Sequence, residues 1–227
     1  MKRNQSGFTL IEIAIVLVII GLLLGGVLKG QELINSAKVK NLANDFKNIP
    51  VFIYGYQDKY KALPGDDKDI VSHLTGGVAP VPCTGAPTTI TAGFCNVGNG
   101  AIDGAWNAQD AASESYVFWQ HVRLAGFGPG STTTGATDYL PKNAVGGDIG
   151  ITNAVGNIPI LGIRGTYIVC SNSIPGKFAK QLDLTLDDGL PNSGSVMIGV
   201  VSTTGGAAIA TTALVLDDTT YLVCMGY

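Results

Sequence analysis

The chain has 227 residues, enough for one domain or for one domain with an appendage. Hydrophobic residues make up 46% of it and charged residues 14%, which excludes an intrinsically disordered chain, poor in apolar side chains and rich in charge. A net charge of −3 argues against a protein that holds nucleic acid by neutralising phosphates. The small total hides a segregation. Lys2 and Arg3 make the first seven residues basic, residues 8–61 are mildly basic, and the rest sets six bases against thirteen acids.

From Phe8 to Leu28 the only charge is Glu12, and Ile13 to Leu28 is apolar or Gly throughout. A helix of roughly twenty apolar residues, each rising about 1.5 Å, crosses a bilayer. A secretory signal has a shorter apolar run, about 7–15 residues, with a small-residue cleavage site after it. Here the one processing signal, Gly7-Phe8-Thr9-Leu10-Ile11-Glu12, comes before the run. Lys2 and Arg3 keep that end cytoplasmic, so the remainder is expected to be exported from a single-pass anchor.

Glu12 demands an explanation. A carboxylate costs about 2.5–3.5 kcal/mol at the centre of a membrane helix, less near its end, and such groups usually have a partner. No cation follows Phe8 until Lys29. Cutting the Gly7–Phe8 bond creates an α-ammonium four residues from Glu12, able to neutralise it within the helix or from an adjacent subunit. The alternative is a lone Glu snorkelling to the headgroups.

Gly7-Phe8-Thr9-Leu10-Ile11-Glu12, with its basic leader and the apolar helix that follows, resembles the prepilin motif of type IV pilins and type II secretion pseudopilins. The resemblance covers roughly residues 1–34. It implies cleavage of leader 1–7 after Gly7 by prepilin peptidase, N-methylation at Phe8, and pairing of Glu12 with a neighbouring subunit's terminal amine during assembly. One position departs from the pattern: many pilins have a Pro nearly five helical turns past the Glu, at about 3.6 residues per turn, where this chain has Lys29. Gly21, Gly25, Gly26 and Gly30 lie at G-x-x-x-G spacing, which suits close helix packing or local loosening.

Beyond Gly30 the apolar positions Leu33, Ala37, Leu42, Phe46, Ile49, Phe52, Ile53, Tyr56 and Tyr60 keep helical steps. The pattern crosses Pro50, where a kink is expected rather than an end, and stops near Leu63-Pro64-Gly65. The prediction is therefore one helix over 8–63, with 8–28 in the membrane and its second half amphipathic, carrying a head over 64–227.

The head is rich in turn chemistry. A helix is predicted over Ala108 to Ala125, capped by Asn107 and stopped by Gly126. Strands are predicted at Tyr167 to Cys170, Val196 to Val201, Ala213 to Leu216 and Tyr221 to Cys224, forming one small antiparallel sheet. Phe178, Leu182 and Leu186 step by four, yet Leu182, Leu184 and Leu186 also alternate, so helix is only weakly favoured there. The class is α+β, as the resemblance also implies. Cys83, Cys95, Cys170 and Cys224 allow three pairings, and an exported head favours disulfides. Cys83 to Cys95 is expected to close a loop and Cys170 to Cys224 to tie the last strand to the sheet, the second similar to the carboxy-terminal disulfide loop of many pilins.

No nucleophile-base, P-loop or zinc-protease motif occurs, and no enzyme activity is expected. His73 and His121 lack metal-ligand spacing. Asp66, Asp67, Asp103, Asp187 and Asp188 sit in acidic turns able to offer oxygen ligands to calcium, and some pseudopilins carry calcium in the head; the competing reading is ordinary turn formation. Together these features favour a structural subunit of a type IV pilus-like filament. The resemblance implies that it waits in the inner membrane's lipid bilayer, then polymerises with itself and related pilins through an assembly platform into a periplasmic or cell-surface filament. The rival expectations are a type II secretion pseudopilin, a low-copy minor pilin whose head binds a surface, cargo or DNA, and, last, a single-pass enzyme.

Overall fold

The computed structural model describes residues 9–78, 98–153, 158–200 and 215–227 and the backbone of 209–210. The chain forms two compact units, Met1–Lys38 and Val39–Tyr227. Helix α1 (Leu10–Tyr60) contributes residues to both.

In the second unit, α1 buries Val39, Leu42, Phe46, Ile49, Ile53 and Tyr56, the three-and-four spacing of one helix face. Leu33 and Ala37 belong to the same sequence pattern but are exposed, so the buried stripe begins at Val39. The helix does not end at Pro50 but continues past it, as expected. Proline has no N–H, which leaves the Phe46 carbonyl without its usual donor four residues on. The Tyr227 hydroxyl fills the gap, donating to the Phe46 carbonyl at 2.7 Å. The last residue of the chain thus supplies the hydrogen bond that Pro50 removes from the helix.

The helix ends at Tyr60, three residues before the predicted stop. Lys61 adopts a left-handed φ of 55° while its N–H still donates to the Gln57 carbonyl at 2.9 Å. For a residue with a Cβ that conformation costs about 1–2 kcal/mol. The short helix α2 (Ile70–His73) follows.

Helix α3 (Glu114–Leu124) begins six residues later than the predicted Ala108. Asn107 is not its cap; Ser113 precedes it instead. The intervening residues are spent on turns, because Asp110 Oδ1 accepts from Ala112 N–H at 3.0 Å and Ser115 Oγ donates to the Ala105 carbonyl at 2.7 Å. Short polar side chains compete in this way for backbone groups a helix would use. Gly126, at φ 83°, stops the helix as expected.

The sheet has strands β1 (Ile149–Asn153), β2 (Tyr167–Pro175), β3 (Val196–Val200), β4 (Ile209–Ala210) and β5 (Thr220–Gly226). All pairings are antiparallel in the order β1-β2-β5-β3-β4. Strand β1 was not predicted. Its Gly150 reads as turn chemistry, yet a Cβ there would lie 1.7 Å from the Trp106 carbonyl oxygen, so glycine marks a close backbone approach within a strand. Of the predicted strand Ala213 to Leu216, Val215 and Leu216 lie outside any strand, and 213–214 fall outside the described residues.

Side chains alternate across the sheet. Ile151, Val169, Ile198 and Val223 face the main core, with Phe46 and Ile49 of α1 and Val117, Phe118 and Val122 of α3. Ile168, Cys170, Met197, Leu222 and Cys224 face a second cluster with Ile160 and Ile163. Helix α4 (Gly176–Leu186) settles the ambiguous leucines: Phe178, Ala179 and Leu182 enter the main core, while Leu184 is 69% exposed. The result is the expected α+β arrangement.

Candidate functional site

Glu12 lies in the first turn of α1. Its N–H donates to Thr9 Oγ1 at 3.3 Å, while the Thr9 N–H and hydroxyl both donate to Glu12 Oε2 at 2.8 Å. This is a capping box, T-x-x-E, which satisfies helix-start donors reciprocally. The spacing was readable in the sequence, where Glu12 was weighed only as a charge. The box brings no cation: among the described residues Glu12 makes no ion pair, and Lys29, the next base, is held by Glu32 at 2.7 Å. Gly7 and Phe8 fall outside the described residues.

The apolar run after Glu12 is exposed among the described residues. Leu10 is 90% exposed and Leu22 73%. By length and composition α1 can cross a membrane, and none of its apolar window is buried. Each such Leu or Ile gains about 1.5–3 kcal/mol when removed from water, so the segment demands lipid or other helices. A Cβ at Gly21, Gly25, Gly26 or Gly30 would meet nothing within 4 Å, so no contact among the described residues calls for glycine there.

Residues 2–28 match the family described as Prokaryotic N-terminal methylation motif. The chain carries the type IV pilin and pseudopilin signature. That pilin signature implies a precursor processed by prepilin peptidase and assembled with other pilins, and a membrane-anchored pilin fits the exposed apolar helix. No curated protein and no solved structure matches the chain.

In the head of this pilin-like chain, Cys170 and Cys224 are joined by a disulfide, as expected. They are directly opposite on β2 and β5, with Cα atoms 4.1 Å apart. Cys83 and Cys95 fall outside the described residues.

The acidic turns separate into two groups. Asp66, Asp67 and Asp103 are buried and take their donors from the protein. Asp66 accepts from the backbone N–H groups of Gly98, Asn99 (3.2 Å) and Gly100 (2.7 Å). Asp103 accepts from the side-chain amides of Asn99 (3.0 Å) and Asn153. Asp67 accepts from Tyr56 Oη at 2.6 Å, His73 Nδ1 at 2.7 Å and the Asp69 N–H at 2.9 Å. Burial pushes Asp67 upward, but the hydrogen bonds from His73, Tyr56 and Asp69 outweigh it and hold the carboxyl below its ordinary value.

Glu114, not singled out in the sequence, completes the first group. It is buried, accepts the Asp103 N–H at 2.7 Å, and hydrogen-bonds Asp66. Burial raises its pKa to about 8, and the charges of Asp66 and Asp103 add to that despite the opposing Asp103 N–H. The Glu114 proton thus relieves the repulsion among these acids. His121 is equally structural: its Nδ1 accepts the Gly65 N–H at 2.9 Å, Nε2 lies 2.8 Å from the Val78 carbonyl, and burial lowers its pKa.

Asp187 and Asp188 belong to the second group, and the structure adds Asp183 to them. One carboxylate oxygen from each lies within 4.8 Å of the other two. Asp183 is 1% exposed, and its Oδ1 is the one buried side-chain oxygen or nitrogen among the described residues without a hydrogen-bond partner. Burial first, then the charges of Asp188 and Asp187, raise the Asp183 pKa to about 6. All-oxygen donors around an orphaned buried oxygen fit a hard cation such as calcium. The sequence signal was D-x-x-x-D-D at a helix end, hidden because Asp183 sits among leucines.

Proposed function

We propose that the chain is a structural subunit of a type IV pilus-like filament and not an enzyme. The observation that carries this is an exposed apolar helix whose first turn holds a carboxylate with no ion-pair partner among the described residues, inside the methylation motif. In the membrane monomer the apolar run is buried in lipid. In the polymer, neighbouring helices replace the lipid, and the glycines at 21, 25, 26 and 30 give them room to approach closely. Release of leader 1–7 creates the Phe8 ammonium, which neutralises Glu12 of an adjacent copy. Head-to-tail contact of this kind is open-ended, as a filament requires.

The capping box permits a sharp test. Glu12→Gln keeps an oxygen for the Thr9 donors but removes the charge, whereas Thr9→Ala removes the box and keeps the charge, at about 1 kcal/mol to the helix start. Expected are normal membrane insertion for both variants, loss of filament incorporation for Glu12→Gln, and retained incorporation for Thr9→Ala. Mass spectrometry of the amino-terminal peptide should find a chain beginning at methylated Phe8. Wild-type incorporation of Glu12→Gln, or a mature chain beginning at Met1, would overturn the proposal.

A further inference from the structure

Helix α4 ends at Leu186 without a basic residue in its last turn, and Asp187 and Asp188 follow at once. Three carboxylates therefore gather at the negative end of a helix, where the macrodipole favours cations. None of the three makes a salt bridge among the described residues; Lys180, the base nearest in sequence, is paired with Asp217 at 2.5 Å. The Gly189 N–H donates to the Asp183 carboxylate, but its buried Oδ1 has no partner, and no ion pair among the described residues offsets the repulsion of the three acids.

The surroundings hold the other two carboxylates in place. Asp187 Oδ2 accepts the Val196 N–H at 2.8 Å, which ties the turn to the start of β3. Asp188 accepts the Leu190 N–H at 2.8 Å and the Ser193 hydroxyl at 3.2 Å. A Cβ at Gly194 would lie 2.0 Å from Asp187 Oδ2, so glycine is needed for the chain to pass this carboxylate. Asp183 is buried, Asp187 half-buried and Asp188 exposed, which grades the group from the protein interior to water.

We propose that Asp183, Asp187 and Asp188 bind one calcium ion, which clamps the end of α4 to the turn leading into β3. Calcium accepts about 6–8 oxygens in adaptable geometry, so three carboxylates can be completed by water and backbone carbonyls. Magnesium demands near-ideal octahedral geometry and is usually held by only one or two carboxylates. The ion neutralises the repulsion and supplies the missing partner of Asp183. The site does not depend on the filament proposal, since it lies within one head.

Titration of the full chain in detergent micelles, stripped with EDTA and then given calcium alone or magnesium alone, tests this before any assembly. Calorimetry should find one calcium per chain with a Kd of about 10⁻⁴ to 10⁻³ M, the range of exported modules. At about 10 mM calcium the Tm should rise by roughly 3–10 °C. Asp183→Asn and Asp188→Asn should each weaken binding by about tenfold or more. Because Asp188→Asn removes one of three repelling charges at an exposed position, its Tm under EDTA should be no lower than that of wild type, while its calcium-dependent rise shrinks. Absence of calcium binding to the wild-type chain, unchanged binding in Asp188→Asn, or magnesium binding as tight as calcium would each overturn the proposal.

Discussion

Tyr227 and Pro50 offer a double-mutant test of how a 51-residue helix tolerates an internal proline. Tyr227→Phe deletes the hydroxyl that donates to the Phe46 carbonyl at 2.7 Å but keeps the ring, which stacks on Tyr167 with centroids 5.2 Å apart. In the Pro50 background the carbonyl then has neither its helical donor nor its substitute, at about 1–3 kcal/mol for a buried group left unpaired. For a head of this size that lowers Tm by roughly 2–12 °C, at about 2–4 °C per kcal/mol. In a Pro50→Ala background the new residue-50 N–H can donate to the same carbonyl, so deleting the hydroxyl should cost about 1 kcal/mol less. Denaturant unfolding of the full chain in detergent, followed by near-UV circular dichroism, measures all four corners of the cycle. Equal costs of Tyr227→Phe in both backgrounds would refute the link between the terminal hydroxyl and the proline.

Glu114→Gln should flatten the dependence of stability on pH. The folded pKa of about 8 stands above the ordinary 4.5, so the protonated carboxyl contributes fully below that ordinary value and its contribution is lost as pH rises through about 8. Between about pH 5 and pH 8 wild type should lose stability on the order of a few kcal/mol from this group, a loss absent in the variant, whose amide can accept from Asp103 and donate to Asp66. Parallel stability profiles for the two proteins would contradict it. Replacing both Cys170 and Cys224 by Ser opens a closure with a sequence separation of 54. That should lower stability by about 4 kcal/mol on the chain-entropy account, read as a fall in Tm of the variant under non-reducing conditions; a loss below about 1 kcal/mol would count against it.

Much of the amino-terminal quarter was legible because its determinants are local. The apolar run, the basic leader, Glu12 and the helical steps from Leu42 to Tyr56 follow from residue type and spacing alone. The Cys170–Cys224 pairing was legible too, since both cysteines sit in strand patterns. The late start of α3 was misread because Asp110, Ser113 and Ser115 act in turns, a choice that helix propensity does not encode.

The sequence by itself determined which segment seeks a membrane and where the methylation motif lies, because hydropathy and a contiguous motif need no distant partner. Only the tertiary structure decided that Gly150 belongs to a strand, that Glu114 keeps a proton beside Asp66 and Asp103, and that Asp183 joins Asp187 and Asp188. The rescue of the Phe46 carbonyl by Tyr227, from 181 residues away, belongs with these. Each depends on close approach, desolvation or hydrogen-bond satisfaction between groups remote in the chain, and those quantities do not exist until the chain has folded.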